Sequence, residues 1–183
     1  MRNILFVFLL LFIACDDAVL PKPKAYLSLE YSTHKYQDLQ LQRPYTFQIS
    51  TQATAENLPN NWTNIKYPKL KASIDITYRN VDNNLQELLL EAEKLVYKHT
   101  QKADNISAKD FANADEKVFG TIHEITGNAA SQLQFHLTDS TSHFIKGSLY
   151  FYAKPNYDSI LPAVDYIKQD ILKLMETTKW KSN

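Results

Sequence analysis

The sequence predicts an α+β fold: an antiparallel sheet of about seven strands with two main helices packed on it, a sandwich-like arrangement. Three observations predict it. Several short stretches alternate apolar and polar residues with a period of two. Two longer stretches repeat apolar residues at spacings of three and four. Turn-forming residues such as Asp139-Ser140-Thr141-Ser142 separate the stretches. Apolar residues are 44% of the 183 positions, with eleven Tyr and nine Phe, enough to fill a core.

Before the domain comes MRNILFVFLLLFIACDD. A membrane-spanning helix takes roughly 20 apolar residues, and the run Ile4–Ala14 is too short for one. Arg2, the apolar run and the small Ala14 instead make a secretory signal peptide over residues 1–14, removed on maturation. Phe12-Ile13-Ala14-Cys15 is similar to the bacterial lipobox, with Phe12 in place of the usual Leu. In that pattern the thiol is acylated by diacylglycerol, the peptide is cut before it, and the new amine is acylated too. One acyl chain anchors a protein marginally and two anchor it stably. Cys15, the single cysteine, is thus assigned as the lipid attachment site, and no disulfide within the chain is possible. That covalent lipid is the only group expected; no other cofactor is.

Residues 15–24, with Pro21 and Pro23, read as a short stiff tether. Residues 25–183 read as a single α+β domain. Within it Ala25–Tyr31 alternates and suits a strand, as does Tyr45–Ile49. Ser50–Asn61 is polar and reads as a surface loop. Strands are expected over Trp62–Tyr67 and Leu70–Tyr78, with a tight turn at Pro68-Lys69. The second places Leu70, Ala72, Ile74, Ile76 and Tyr78 on one face and Ser73, Asp75 and Thr77 on the other.

Asn84–Lys102 reads as a helix. Leu85, Leu88, Leu89, Ala92, Leu95, Val96 and His99 form its apolar stripe, Asn83 or Asn84 caps its start, and Lys98 and Lys102 suit its end. Strands follow at Lys117–Thr126, Gln132–Thr138 and Phe144–Ala153. The last two form a hairpin around residues 139–142. Setting Thr138 opposite His143 puts Phe135 opposite Lys146 and sends Leu149 and Phe151 to the other face. A one-residue bulge near Lys146-Gly147 would return them to the core side; the alternative is a sheet covered on both faces, and the bulge is preferred. The last helix spans Ser159–Thr178, capped by Asp158 or Ser159, with Pro162 in its first turn and Ile160, Val164, Ile167, Ile171 and Leu174 as its stripe.

Charge and glycine content exclude some functions. Lys plus Arg equals Asp plus Glu at 20 each, so no basic excess points to nucleic acid. Three glycines provide no phosphate-cradling loop. The five histidines (His34, His99, His123, His136, His143) show no H-E-x-x-H or H-x-H spacing. The best metal grouping is His136 and His143 as diagonal neighbours on one sheet face with Asp139 between them. A polar hairpin end explains the same residues, and no metal site is assigned. Ser140 and Ser142 lack a G-x-S-x-G elbow, and Glu91 and Glu93 fall on the solvated side of the first helix. No catalytic residue is therefore assigned, and no enzymatic activity is expected. Tyr150, Tyr152, Tyr157 and Trp180 suit either an interface or ordinary sheet-face packing.

Six stretches carry a family resemblance: PKPKAYLSLEY, RPYTFQI, NIKYPKLKASIDITY, YKHTQKAD, GNAASQLQFHLTDSTSHFIKGSLYF and KPNYDSILPAVDYI. Running in order from Pro21 to Ile167, they resemble the gliding-motility lipoprotein GldD family of Bacteroidota. Family members carry a cysteine where this chain has Asn61. The resemblance implies an envelope lipoprotein required for gliding, working alongside the type IX secretion apparatus. It supplies no catalytic residues; only the lipid-bearing cysteine carries over, onto Cys15.

A non-catalytic assembly subunit is therefore expected, with other gliding and secretion envelope proteins and the membrane as partners. Its expected contact surface is Asp139, Ser140, Thr141, His143, Lys154, Asn156 and Tyr157. The outer membrane, with the domain facing the periplasm, is the favoured location; the inner membrane and the cell surface remain open. The competing readings are a metal- or ligand-binding periplasmic enzyme using His136, Asp139 and His143, and a generic binding module with an apolar pocket.

Overall fold

A computed structural model describes residues 31–98, 102–152 and 156–181. The leader, Cys15, the tether, most of the strand expected at Ala25–Tyr31, His99 and Lys154 lie outside the described residues. Within them the α+β expectation holds. Seven strands form one antiparallel sheet: β4 (Thr54–Asn57), β5 (Thr63–Tyr67), β6 (Ala72–Asn80), β7 (Ala103–Asn113), β8 (Val118–Gly127), β9 (Leu133–Thr138) and β10 (His143–Phe151). Their spatial order is β4-β5-β6-β10-β9-β8-β7. Helix α1 (Leu85–Tyr97) and helix α2 (Tyr157–Thr177) lie on its two sides.

The main core lies between the sheet and α2. Ile74, Ile76, Phe135, Leu137, Ile145 and Leu149 point there from the central strands and meet Ile167, Ile171, Leu174 and Met175 of α2, all almost wholly buried. Each such side chain contributes about 1.5–3 kcal/mol on burial. Three short strands, β1 (Tyr36–Asp38), β2 (Tyr45–Thr46) and β3 (Gln48–Ser50), complete this side. β1 pairs with β3, and β2 pairs with β11 (Lys179–Trp180). Trp180 thus closes a small ladder against Tyr45 rather than ending a helix.

The opposite side is polar along most of the central strands, and α1 covers part of it. Leu88 and Ala92 of α1 pack on Phe144, and Val96 packs on Ile125 and Ala129. Leu85 and Leu89 are half-buried around them. The helix gives way to β7 at Ala103, so it is shorter than the expected Asn84–Lys102.

Several other expectations need correction. Phe144 faces Thr138 and Gly147 faces Phe135, one residue away from the expected hairpin register. The ladder is regular from Phe144 to Ser148, with no bulge. The connection therefore has one more residue in its loop, and that shift by itself puts Leu149 and Phe151 on the same side as Phe135, against α2, without the expected bulge. Tyr45–Ile49 is not one strand but the two short strands β2 and β3, and the polar Ser50–Asn61 stretch contains β4. Pro162 falls in the second turn of α2, because that helix starts at Tyr157. Its first turn is capped from outside, by Asn128 Oδ1 accepting the Tyr157 N–H at 3.0 Å. Among the described residues no helix is long and apolar enough to cross a membrane.

Candidate functional site

Strand parity sorts the exposed side chains. Trp62, Thr77, Arg79, Phe144, Lys146 and Tyr150 lie on the α1 side of the sheet, with His136, Thr138 and Phe119 farther across it. Six large apolar side chains are exposed among the described residues: Trp62, Leu90, Tyr97, Phe119, Tyr150 and Tyr152. Phe119 and Tyr150 stand on the α1 face of the sheet, Trp62 lines a cleft there, and Leu90 and Tyr97 lie on the outer surface of α1. Tyr152 continues the alternation just past β10. Among the described residues the α2 side exposes none of comparable size. Aromatics gathered on one side of a domain mark an interaction surface better than scattered ones do.

The cleft gathers three charged side chains. Trp62, Thr77, Arg79, Leu88, Glu91, Phe144 and Lys146 enclose about 240 Å³ between α1 and strands β6 and β10. Glu91 serves two cations, with Oε2 3.7 Å from Arg79 Nη1 and Oε1 3.6 Å from Lys146 Nζ. The Lys146 side chain is 18% exposed, and burial lowers its pKa, with Glu91 opposing that and Arg79 and Lys98 adding to it. Beside the cleft, burial pushes His136 down to about 4, helped by His123. His123 is lowered too, by burial against the opposing pull of Glu93 and Asp110. Both imidazoles are neutral at pH 7.

The hairpin tip is a self-contained structure. Burial alone would raise the Asp139 pKa, but the N–H groups of Ser142, His143 and Thr141, with the Thr141 hydroxyl, hold it below its usual value. Oδ1 accepts those N–H groups at 2.8, 2.8 and 3.0 Å. Thr138 Oγ1 donates to the His143 carbonyl at 2.6 Å and accepts the Ser140 N–H at 2.9 Å. Ser140, with φ of 67°, makes the tight bend.

These contacts decide where the sequence-predicted residues stand. Ser140 and Thr141 are exposed, Asp139 is half-buried with its oxygens engaged in the loop, and Asn156 and Tyr157 are accessible at the start of α2. His143 is buried, stacked 5.1 Å from Trp180 with Nδ1 2.8 Å from the Tyr78 hydroxyl. The two stretches lie at opposite ends of the nine-residue β10, about 27 Å apart at strand rise. They are not one patch.

Nor do His136 and His143 share a face. His136 is opposite Lys146 on the α1 side, whereas His143 lies on the α2 side with Tyr78 and Trp180. The one-residue register difference is the reason. Among the described residues no three His, Cys, Asp or Glu side chains are grouped to hold a metal ion. The cleft escaped the sequence reading because its residues come from separate stretches: Trp62 just before β5, Arg79 on β6 and Glu91 on α1.

The remaining polar cluster is at Asp170 on α2, 3% exposed. Its Oδ1 accepts from His34 Nδ1 at 2.7 Å, and its Oδ2 has no hydrogen-bond partner among the described residues. His34 stacks 4.3 Å from Tyr166. Burial, then the Asp170 carboxylate, push the Tyr36 hydroxyl up to about 12, and Tyr67 is raised by the same causes.

Compared with known proteins, the chain matches the family described as gliding motility lipoprotein GldD over residues 16–180. No curated protein matches it.

Proposed function

The chain belongs to the gliding motility lipoprotein GldD family, and from that premise we propose that it is a non-catalytic assembly subunit of the gliding and type IX secretion machinery. In this reading a lipid on Cys15 tethers the domain to the outer membrane, and the domain faces the periplasm. It docks on other envelope proteins of that machinery through the α1 side of the sheet. Ser140 and Thr141 belong to this surface, since the tip they form adjoins the end of the sheet where Phe119 faces Thr138.

The one-sided exposure of Trp62, Phe119, Tyr150 and Tyr152 supports this reading most directly. The opposite side is sealed by α2 and the small strands, and such asymmetry suits a subunit that presents one face.

Photo-crosslinking in cells tests it. A crosslinking residue at Tyr150 is expected to trap a component of the gliding or secretion apparatus, and one at Lys173 on α2 is not. Equal yields from both positions would remove the docking face. Separately, Cys15→Ala is expected to release the protein from the membrane fraction and abolish spreading; full spreading with normal protein level and location would remove the anchor as a functional need.

A further inference from the structure

The two ends of the seven-stranded sheet differ in charge. At one end β5 turns into β6, α1 gives way to β7, and β10 leads to α2. Those three connections carry Lys69, Lys71, Lys98, Lys102 and Lys154 and no acid, and the β8–β9 connection beside them is uncharged. Counting Asp104 and Asp158, at the starts of β7 and α2, this end has a net charge of +3. Lys69, Lys71, Lys98 and Lys102 are exposed and make no ion pair among the described residues, whereas Lys66 nearby is held by Glu56 at 2.6 Å. The connections at the other end carry Asp82, Asp115, Glu116 and Asp139 against Lys117, with Arg43 and Lys181 beside Asn80. The basic end is also where the chain comes in. Tyr31 stacks 5.0 Å from Tyr166 and lines a recess with Lys69 and Leu70. His34 then meets Asp170, and Tyr36 lies under Lys173, so from Tyr31 onward the chain follows α2 away from that end. Cys15 is 16 residues before Tyr31.

We propose that this basic end rests on the surface of the anchoring membrane, against anionic phospholipid headgroups, so that the strands stand upright and the α1 side faces sideways, open to partners. Three features choose a lipid surface. The lysines are spread: four strand spacings, about 19 Å, separate β6 from β7, so they match a broad sheet of negative charge better than one small anion. Tyr152 stands among them, 63% exposed, its N–H donating to the Lys71 carbonyl at 2.7 Å. Aromatic rings beside lysines are the side chains that settle at a headgroup boundary. The third feature is the direction of the chain, which brings the tether in at this end. Each lysine close to an anionic surface strengthens the contact about fivefold. That is weak for a free protein, but it sets orientation once a lipid already holds the domain at high local concentration.

This inference rests on the lipid anchor at Cys15 and deepens that reading. The test uses the full lipidated protein in vesicles that contain phosphatidylglycerol and a trace of a gadolinium-chelating lipid. With the sole native thiol acylated, a nitroxide is attached at Gln52→Cys, beside Lys69, or at Ala114→Cys, in the turn at the far end. Gadolinium at the headgroups is expected to speed relaxation strongly at position 52 and scarcely at position 114. The contrast is expected to shrink in phosphatidylcholine vesicles and at high salt, which screens the attraction. Lys69→Gln combined with Lys102→Gln, from the two sides of the basic end, is expected to weaken the preferred orientation about tenfold or more. Equal relaxation at the two positions, the same contrast in phosphatidylcholine, or a contrast untouched by the double variant would overturn the proposal, the first of these being the result if an acidic protein covers this end instead. Protein that does not float with vesicles of either composition removes the anchor and this proposal with it; protein that floats but relaxes equally at both positions removes this proposal alone.

Discussion

Phe135 lies across the backbone of Gly147. The two residues are directly paired between β9 and β10, and a Cβ added at Gly147 would stand 2.2 Å from the Cε1 and Cζ atoms of the ring. Phe135 is 2% exposed, so the ring has nowhere to move. Gly147→Ala is therefore expected to destabilise the domain by about 1–3 kcal/mol, the usual range for overpacking. Phe135→Leu, costly alone, should recover part of that loss when the two are combined. Urea unfolding of the four members of the cycle measures it; additive effects would show that the ring and glycine do not interact.

That contact also shows what the sequence could and could not specify. The alternation in Leu70–Tyr78 and the stripes of both helices were legible because each buries one continuous face. Strand β7 was not, since Ile106 and Phe111 are five residues apart and fall on opposite faces of an exposed edge. The edge strand β4 is equally polar. The hairpin register was ambiguous because both faces of β9 are buried, so polarity could not choose between two pairings. With the register one residue off, Gly147 looked like a place for a bulge, and His136 and His143 looked like partners. The aromatic face and the charged cleft were hidden for the same reason: they depend on which residues of different strands share a side.

His136 makes stability depend on pH. Its pKa is about 4 in the folded protein, lowered by burial and then by His123, against about 6.5 when unfolded. The unfolded chain thus binds the proton more readily. Stability from this group is complete above about pH 6.5 and falls as pH drops toward 4, by about 3 kcal/mol in all. His123 acts in the same direction. Thermal unfolding between pH 7.5 and 4.5 is expected to show the decline, and His136→Gln to flatten it. A variant with the unchanged slope would mean that another group carries the effect.

Asp139 holds the hairpin tip together by accepting the N–H groups of Thr141, Ser142 and His143. Asp139→Ala leaves those donors without their acceptor, at a cost of about 1.5–3 kcal/mol for a charge-assisted set. Asp139→Asn keeps one oxygen and is expected to cost less. The carboxylate pKa is held down in the fold, so its contribution is present above the unfolded value and is lost as pH falls through the folded one. Hydrogen exchange at the His143 and Ser142 amides reads the loosening locally: faster exchange in the alanine variant is expected, and unchanged exchange would contradict the role.

Asp170 and His34 make the most consequential long-range pair, 136 residues apart in sequence. The carboxylate is nearly inaccessible; His34 Nδ1 meets its Oδ1 at 2.7 Å, and the Tyr36 and Tyr67 hydroxyls lie close enough to feel its charge. Removing one side of a buried pair usually costs about 3–5 kcal/mol, because the remaining charge has no compensation. The side chain of His34 is 30% exposed, and water can reach the gap it would leave, so His34→Ala is expected to fall below that range, near 2 kcal/mol. Adding Asp170→Asn removes the stranded charge and should return part of the loss. The same pair fastens residues 31–36 to α2, together with the Tyr166 hydroxyl donating to the Ser32 carbonyl at 3.1 Å. His34→Ala should therefore raise protease cleavage near Ser32 as well as lower stability. A double variant less stable than His34→Ala alone would show that Asp170 is retained for something other than this pairing.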